Sequence, residues 1–154
     1  MTQRLHFHIT INAPRHLVWD RMLAPDTYRD WTTAFCEGSY YEGSWEQGSR
    51  IRFLSPDGDG MCSEIAESRP HDSISIRHLG YINKGVEDTT SDAIRQWAPA
   101  FENYHFTDNG SSTTLHVEQD VTAEFEPYMK DAWPRALERL KALCEQPLAT
   151  RPLP

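Results

Sequence analysis

His78 and Glu102 are the pair whose spacing and type best suit joint chemistry in this chain. From Ser73 to Leu79 the residues alternate, with Ile74, Ile76 and His78 on one side. From Trp97 to Thr107 they alternate again, with Glu102, Tyr104 and Phe106 on one side. If the apolar members of each set face a core, the imidazole and the carboxylate face it too. Antiparallel pairing with Tyr81 opposite Pro99 would set His78 opposite Glu102. Cross-strand neighbours lie about 5 Å apart, within reach of a hydrogen bond. In a low-dielectric pocket this pair moves a proton or holds the polar head of a ligand. At a rim it serves structure, tying down a strand end, which is the commoner role of buried ion pairs.

Other constellations point to plainer roles. His6 and His8 share a strand face, and His105 and His116 fall on the outer side of later strands. Imidazoles suit zinc, but a convex, solvated face lacks groups to orient them, so they read as ordinary exposed strand histidines with no metal assigned. Asp57-Gly-Asp59-Gly60 echoes the start of a calcium loop and lacks its later ligands, so it reads as a turn. There is no Gly-x-Ser-x-Gly elbow and no glycine-rich phosphate loop, and no catalytic residue or cofactor is assigned.

Composition narrows the classes. Acidic residues outnumber basic ones, 23 to 15, giving a formal net charge of −8 over 154 residues. Without a basic stripe, nucleic acid and anionic membranes are poor partners. Three distant cysteines, Cys36, Cys62 and Cys144, form neither a disulfide framework nor a metal knuckle, which fits a reduced, cytoplasmic setting. No apolar run approaches the roughly 18 residues of a membrane span.

The elements that must position these residues are legible from period and punctuation. Arg4 to Ile11 alternates as a half-buried strand. Ala13-Pro14 opens a helix that Pro25 ends, and Asp26 to Trp31 forms a second. Strands follow over Tyr40–Trp45, Arg50–Leu54, Met61–Ser68, Ser73–Leu79, Trp97–Thr107 and Thr113–Val121. The polar stretch from Ile82 to Gln96 reads as the longest loop, and Asp108-Asn109-Gly110 as a hairpin turn. A closing helix from Phe125 to Glu145 carries Phe125, Met129, Trp133, Leu137 and Leu140 on one face, so that face should be buried. Pro134 should kink it by removing one backbone bond at Lys130. A curved sheet gripping one long helix encloses a cavity. Residues 1–146 are expected to form one domain, and 147–154 a disordered tail.

Certain segments resemble a known family. They are Ile11-Asn-Ala-Pro-Arg-His-Leu-Val-Trp19, Tyr28-Arg-Asp-Trp31, Trp45-Glu-Gln-Gly-Ser49, Trp97 with Glu102-Asn-Tyr104, and Trp133 with Ala136-Leu137 and Leu140-Lys141. Together they resemble the SRPBCC/START-like superfamily, in the branch related to activators of a heat-shock-protein ATPase. The resemblance runs from Leu5 to Glu145. It implies an α+β helix-grip fold, with a seven-stranded antiparallel sheet wrapped around a long C-terminal helix and two short helices between the first two strands. Such domains include lipid carriers, hormone receptors, polyketide cyclases and co-chaperones, so fold alone leaves function open.

The expected function is binding of a small hydrophobic or amphipathic molecule between sheet and helix. Phe7, Phe53, Ile76, Tyr104, Met129 and Trp133 would form the walls. Trp31 and Trp97 would stand at the mouth, with His78 and Glu102 as polar anchors. The rivals are a cyclase or dehydratase using the same cavity, with His78 or Glu102 as acid–base, and a co-chaperone-like interaction module. A homodimer is left open.

Overall fold

The computed structural model describes residues 2–145; the expected tail at 147–154 lies outside them. Strand β1 spans Thr2–Ile11 and buries Leu5 and Ile11 with Phe7 and Ile9 partly covered, as its alternation requires. Helix α1, Arg15–Leu23, follows Pro14. Pro25 then ends α1 and opens α2, Pro25–Trp31, because a proline lacks the donor an inner turn needs but suits a first turn. A short 3₁₀ turn, Thr32–Ala34, leads to β2, Tyr40–Gly43. Strands β3, Arg50–Leu54, β4, Gly60–Arg69, and β5, Ser73–Asn83, form an antiparallel meander.

The expected loop after Ile82 is partly ordered structure. Lys84 and Gly85, both with positive φ (49° and 83°), make a two-residue turn. The chain then returns as an eighth strand, β6, Val86–Asp88, paired with Tyr81–Asn83. Gly80 permits this return, because a β carbon there would collide with the carbonyl oxygen of Asp88. A one-turn helix α3, Asp92–Arg95, precedes β7, Ala100–Asp108, and β8, Thr113–Thr122. The sheet order is β1-β8-β7-β5-β4-β3-β2, with β6 appended to β5. Among the described residues the seven expected strands form the continuous sheet, and the short β6 adds an eighth at its side.

Helix α4, Glu126–Glu145, continues through Pro134 and lies against the sheet's concave side. It buries Ala132, Trp133, Ala136, Leu137, Leu140 and Cys144 in one core with Ile11, Val18, Ile74, Phe106, Leu115 and Val117. The stripe expected on this helix is buried only from Ala132 onward. Phe125 is exposed and Met129 half-buried, and both line a cavity rather than the core. No described helix is long and apolar enough to cross a membrane.

Candidate functional site

Between α4 and the sheet lies a cavity of about 510 Å³. Its walls are aromatic. Tyr28 and Trp31 come from α2, Phe35 from the segment after the 3₁₀ turn, Trp45 and Phe53 from the β2–β3 region, Tyr104 from β7, and Trp133 from α4. Trp133 lies at the centre, with ring centroids 6.0 Å from Trp31, 4.9 Å from Phe35 and 6.0 Å from Tyr104. Edge-on and tilted contacts of this kind suit the aromatic quadrupole. Phe125 and Tyr128 line the cavity on the open side and are 41% and 44% exposed. The Tyr128 hydroxyl donates to the carbonyl of Phe35, linking helix and wall.

The polar groups are few, and most are spoken for. Trp31 Nε1 donates to the Met22 carbonyl at 3.0 Å, and Trp133 Nε1 donates to Gln119 Oε1 at 3.3 Å. Trp45 differs: its Nε1–H is buried without a hydrogen-bond partner among the described residues. The Glu102 carboxylate lines the cavity and accepts from the Tyr104 hydroxyl through Oε2. Its other oxygen stands 3.1 Å from His78 Nε2, and His78 Nδ1 is 2.7 Å from Ser63 Oγ. A carboxylate only accepts, so Nε2 carries the proton. In the neutral ring, Nδ1 then accepts from Ser63. The result is a continuous chain, Ser63–His78–Glu102–Tyr104. Tyr28 feels its charged end: burial pushes this phenol well above its usual range, and the nearby Glu102 charge pushes in the same direction.

The register differs from the expected one. His78 pairs with Ala100 and Ile76 with Glu102, so the strands are displaced by two residues. A two-residue slip leaves every side chain on its face, so alternation cannot distinguish the two registers. His78 still reaches Glu102, now along the diagonal. Ser63 meets His78 because β5 carries an extra residue, Leu79, where pairing passes from Ser63–His78 to Cys62–Gly80. The order serine–histidine–glutamate resembles a hydrolase triad. However, Ser63 is 1% exposed and His78 fully buried, so no substrate reaches the hydroxyl.

Comparison with known proteins places this architecture. A family profile described as "Activator of Hsp90 ATPase homolog 1-like protein" (AHSA1) matches residues 12–145. The chain belongs to the AHSA1 family. No curated protein matches it in sequence. Solved structures share the AHSA1 fold at low identity. The Aha1 dimer from Colwellia psychrerythraea is 16% identical at a TM-score of 0.71, covering 94% of this chain and 97% of that one. MLL2253 from Mesorhizobium loti is 16% identical at 0.70, covering 92% and 96%. DynU16, a protein of the dynemicin biosynthetic locus, is 18% identical at 0.67. This chain aligns over 93% of its own length there and spans only 47% of that chain.

Within this AHSA1 domain, six of the residues singled out from sequence line the cavity: Trp31, Phe53, Glu102, Tyr104, Met129 and Trp133. Four stand outside the lining. Phe7 stacks behind Trp133 at 6.0 Å. Ile76 is 1% exposed in the sheet core. His78 lies behind Glu102, and Trp97 stacks on the outer side of His78 (5.9 Å) and on Tyr81 (4.5 Å). Sequence reasoning passed over Tyr28, Phe35, Trp45, Gln119 and Tyr128 as lining residues. Tyr28 was legible: it precedes Trp31 by three positions on a helix, so the two share a face. The only three-residue group among the described residues that brings metal-ligating atoms together is His6, His116 and Glu118, on the opposite side of the sheet.

Proposed function

We propose that this protein binds a small, largely aromatic, amphipathic molecule in the cavity between the sheet and α4, in the cytoplasm. The observation that carries the reading is the cavity itself, about 510 Å³, walled mainly by aromatic rings and carrying the carboxylates of Glu102 and Asp59 in its lining. Pockets of this size with few polar groups are typical of small-molecule sites. Two polar side chains would fix the ligand: the Glu102 carboxylate accepts a hydrogen bond or meets a positive charge, and the Tyr28 phenol stays protonated. His78 acts as a positioning residue, holding Glu102 in place from behind.

The family's description mentions activation of an ATPase, which would need a contact surface for a protein. The largest exposed apolar side chains among the described residues are Val86, Phe125 and Tyr128. Two of these three belong to the cavity wall, which favours a ligand's entrance over a partner's footprint. The Colwellia neighbour is described as a dimer, and in this chain β1 offers a ten-residue sheet edge to which a second copy would add.

One observation favours an enzyme as a second reading. The hydrogen-bonded chain ending at Glu102 would serve as an acid–base relay for a carbonyl substrate. In that case His78→Ala and Glu102→Gln would both abolish turnover while binding survived. For the binding reading, amide and side-chain NMR shifts should be mapped during titration with aromatic amphiphiles. The reading expects shifts centred on Trp31, Phe53, Tyr104, Met129 and Trp133. Shifts confined to the sheet's outer side would contradict it.

A further inference from the structure

Four of the seven histidines lie on the outer face of three adjacent strands. The pleat puts them there, since Phe7, Val117 and Tyr104 between them turn inward. Two cross-strand rows result. His8, His116 and His105 stand side by side, and beneath them His6, Glu118 and Asn103 do the same. The rows meet on a diagonal. His6 Nδ1 is 3.1 Å from His116 Nε2 and 3.9 Å from Glu118 Oε2, and the ligand atoms of all three residues fall within 4.8 Å of one another.

Those separations match a metal polyhedron. Two ligands of a tetrahedral zinc ion, each about 2.0–2.1 Å from the metal, stand roughly 3.3 Å apart. Two imidazole nitrogens 3.1 Å apart need a proton between them or a cation in place of it. The carboxylate is already oriented. His105 Nε2 approaches Glu118 Oε1 at 3.2 Å, and Asn103 Nδ2 donates to the same oxygen at 3.2 Å. Arg4, whose Nη1 lies 3.9 Å from Glu118, is held by Asp120 through contacts of 2.8 and 3.2 Å. All these groups stand on sheet strands rather than loops, which favours fixed geometry.

We propose that His6 Nδ1, His116 Nε2 and Glu118 form a surface site for one divalent zinc ion, with water in the fourth position and His105 and Asn103 positioning the carboxylate. Two imidazoles with one carboxylate are a zinc-type donor set. His6 is 55% exposed at its side chain, so the site is shallow and its affinity modest, in the micromolar range. The site is independent of the cavity and of any ligand there.

The test is calorimetric titration of the full chain with zinc sulfate near neutral pH, followed by cobalt substitution to read coordination from visible absorption. The expected result is one equivalent of zinc and a tetrahedral cobalt spectrum. His6→Ala and His116→Ala should each weaken binding about tenfold or more. Both residues are on the surface, so circular dichroism should show the fold intact. His16→Ala, in the separate His16–His71 pair, should bind as the wild type does. Absence of saturable binding would overturn the proposal, as would an affinity unchanged in both variants or lost in His16→Ala.

Discussion

On the concave side of β7, Glu102, Tyr104 and Phe106 face the helix, while on its convex side Asn103 and His105 face solvent beside Glu118. One backbone carries both sets, and a shift of one residue exchanges them. The inner polar groups are locked in series, with Ser63 bonded to His78, His78 to both Ser63 and Glu102, and Tyr104 to Glu102. Of the outer groups, His105 is exposed and Asn103 and Glu118 are half-buried at the surface, where they can trade their partners for water. Removing an inner group therefore strands a buried partner, whereas removing an outer one strands nothing. The inner side offers a ligand shape and fixed dipoles; the outer side offers exchangeable lone pairs.

The contrast yields graded predictions. Leu137, 2% exposed in the α4 core, should show the largest effect. Leu137→Ala should cost about 2–5 kcal/mol in chemical denaturation, and a loss below about 0.5 kcal/mol would place that face outside the core. His78→Ala should cost roughly 1–3 kcal/mol, because Ser63 and Glu102 lose their shared partner. Ligand titrations on the same variant should show polar ligands weakened more than apolar ones. On the outer face, His105→Ala should stay within about 0.5 kcal/mol of the wild type and leave cavity binding unchanged. An outer-face loss as large as that of His78→Ala would break the comparison.

The smallest effect lies where helix and sheet meet at the rim. Glu145 accepts from the Asn12 amide at 2.6 Å and from Lys141 at 2.5 Å, and these bonds hold its carboxyl below the usual range. The bonded form is the ionised one, so this contribution is complete above the unfolded-state pKa. It fades as pH falls through the lower folded-state value. Denaturation measured from neutral to acidic pH should show Glu145→Gln less stable than the wild type at neutral pH and converging with it in acid.

Most of the fold was legible because period two and period 3.6 are local signals. The elements β1, α1, α2, β3, β8 and α4 follow from alternation, proline punctuation and one apolar stripe. β6 was hidden because Lys84-Gly85 is a weaker turn signal than Asn-Gly, and three residues give alternation too little length to register. In the site, the link between His78 and Glu102 was legible, but its register was not. Ser63 could not have been found from sequence, since a bulge at Leu79 decides its neighbour. A position after a long loop suggests Trp97 for the cavity mouth, yet it stacks on His78 away from the lining.

The central claim is that the cavity binds. The most direct measurement is titration of the wild type and Met129→Trp with an apolar fluorescent probe. Met129 lines the cavity and is half-buried, so a tryptophan there fills space without disturbing the core. The account predicts saturable micromolar binding to the wild type and at least a tenfold loss in Met129→Trp, with denaturation midpoints little changed. Equal binding by the two proteins, or none by the wild type, would contradict it.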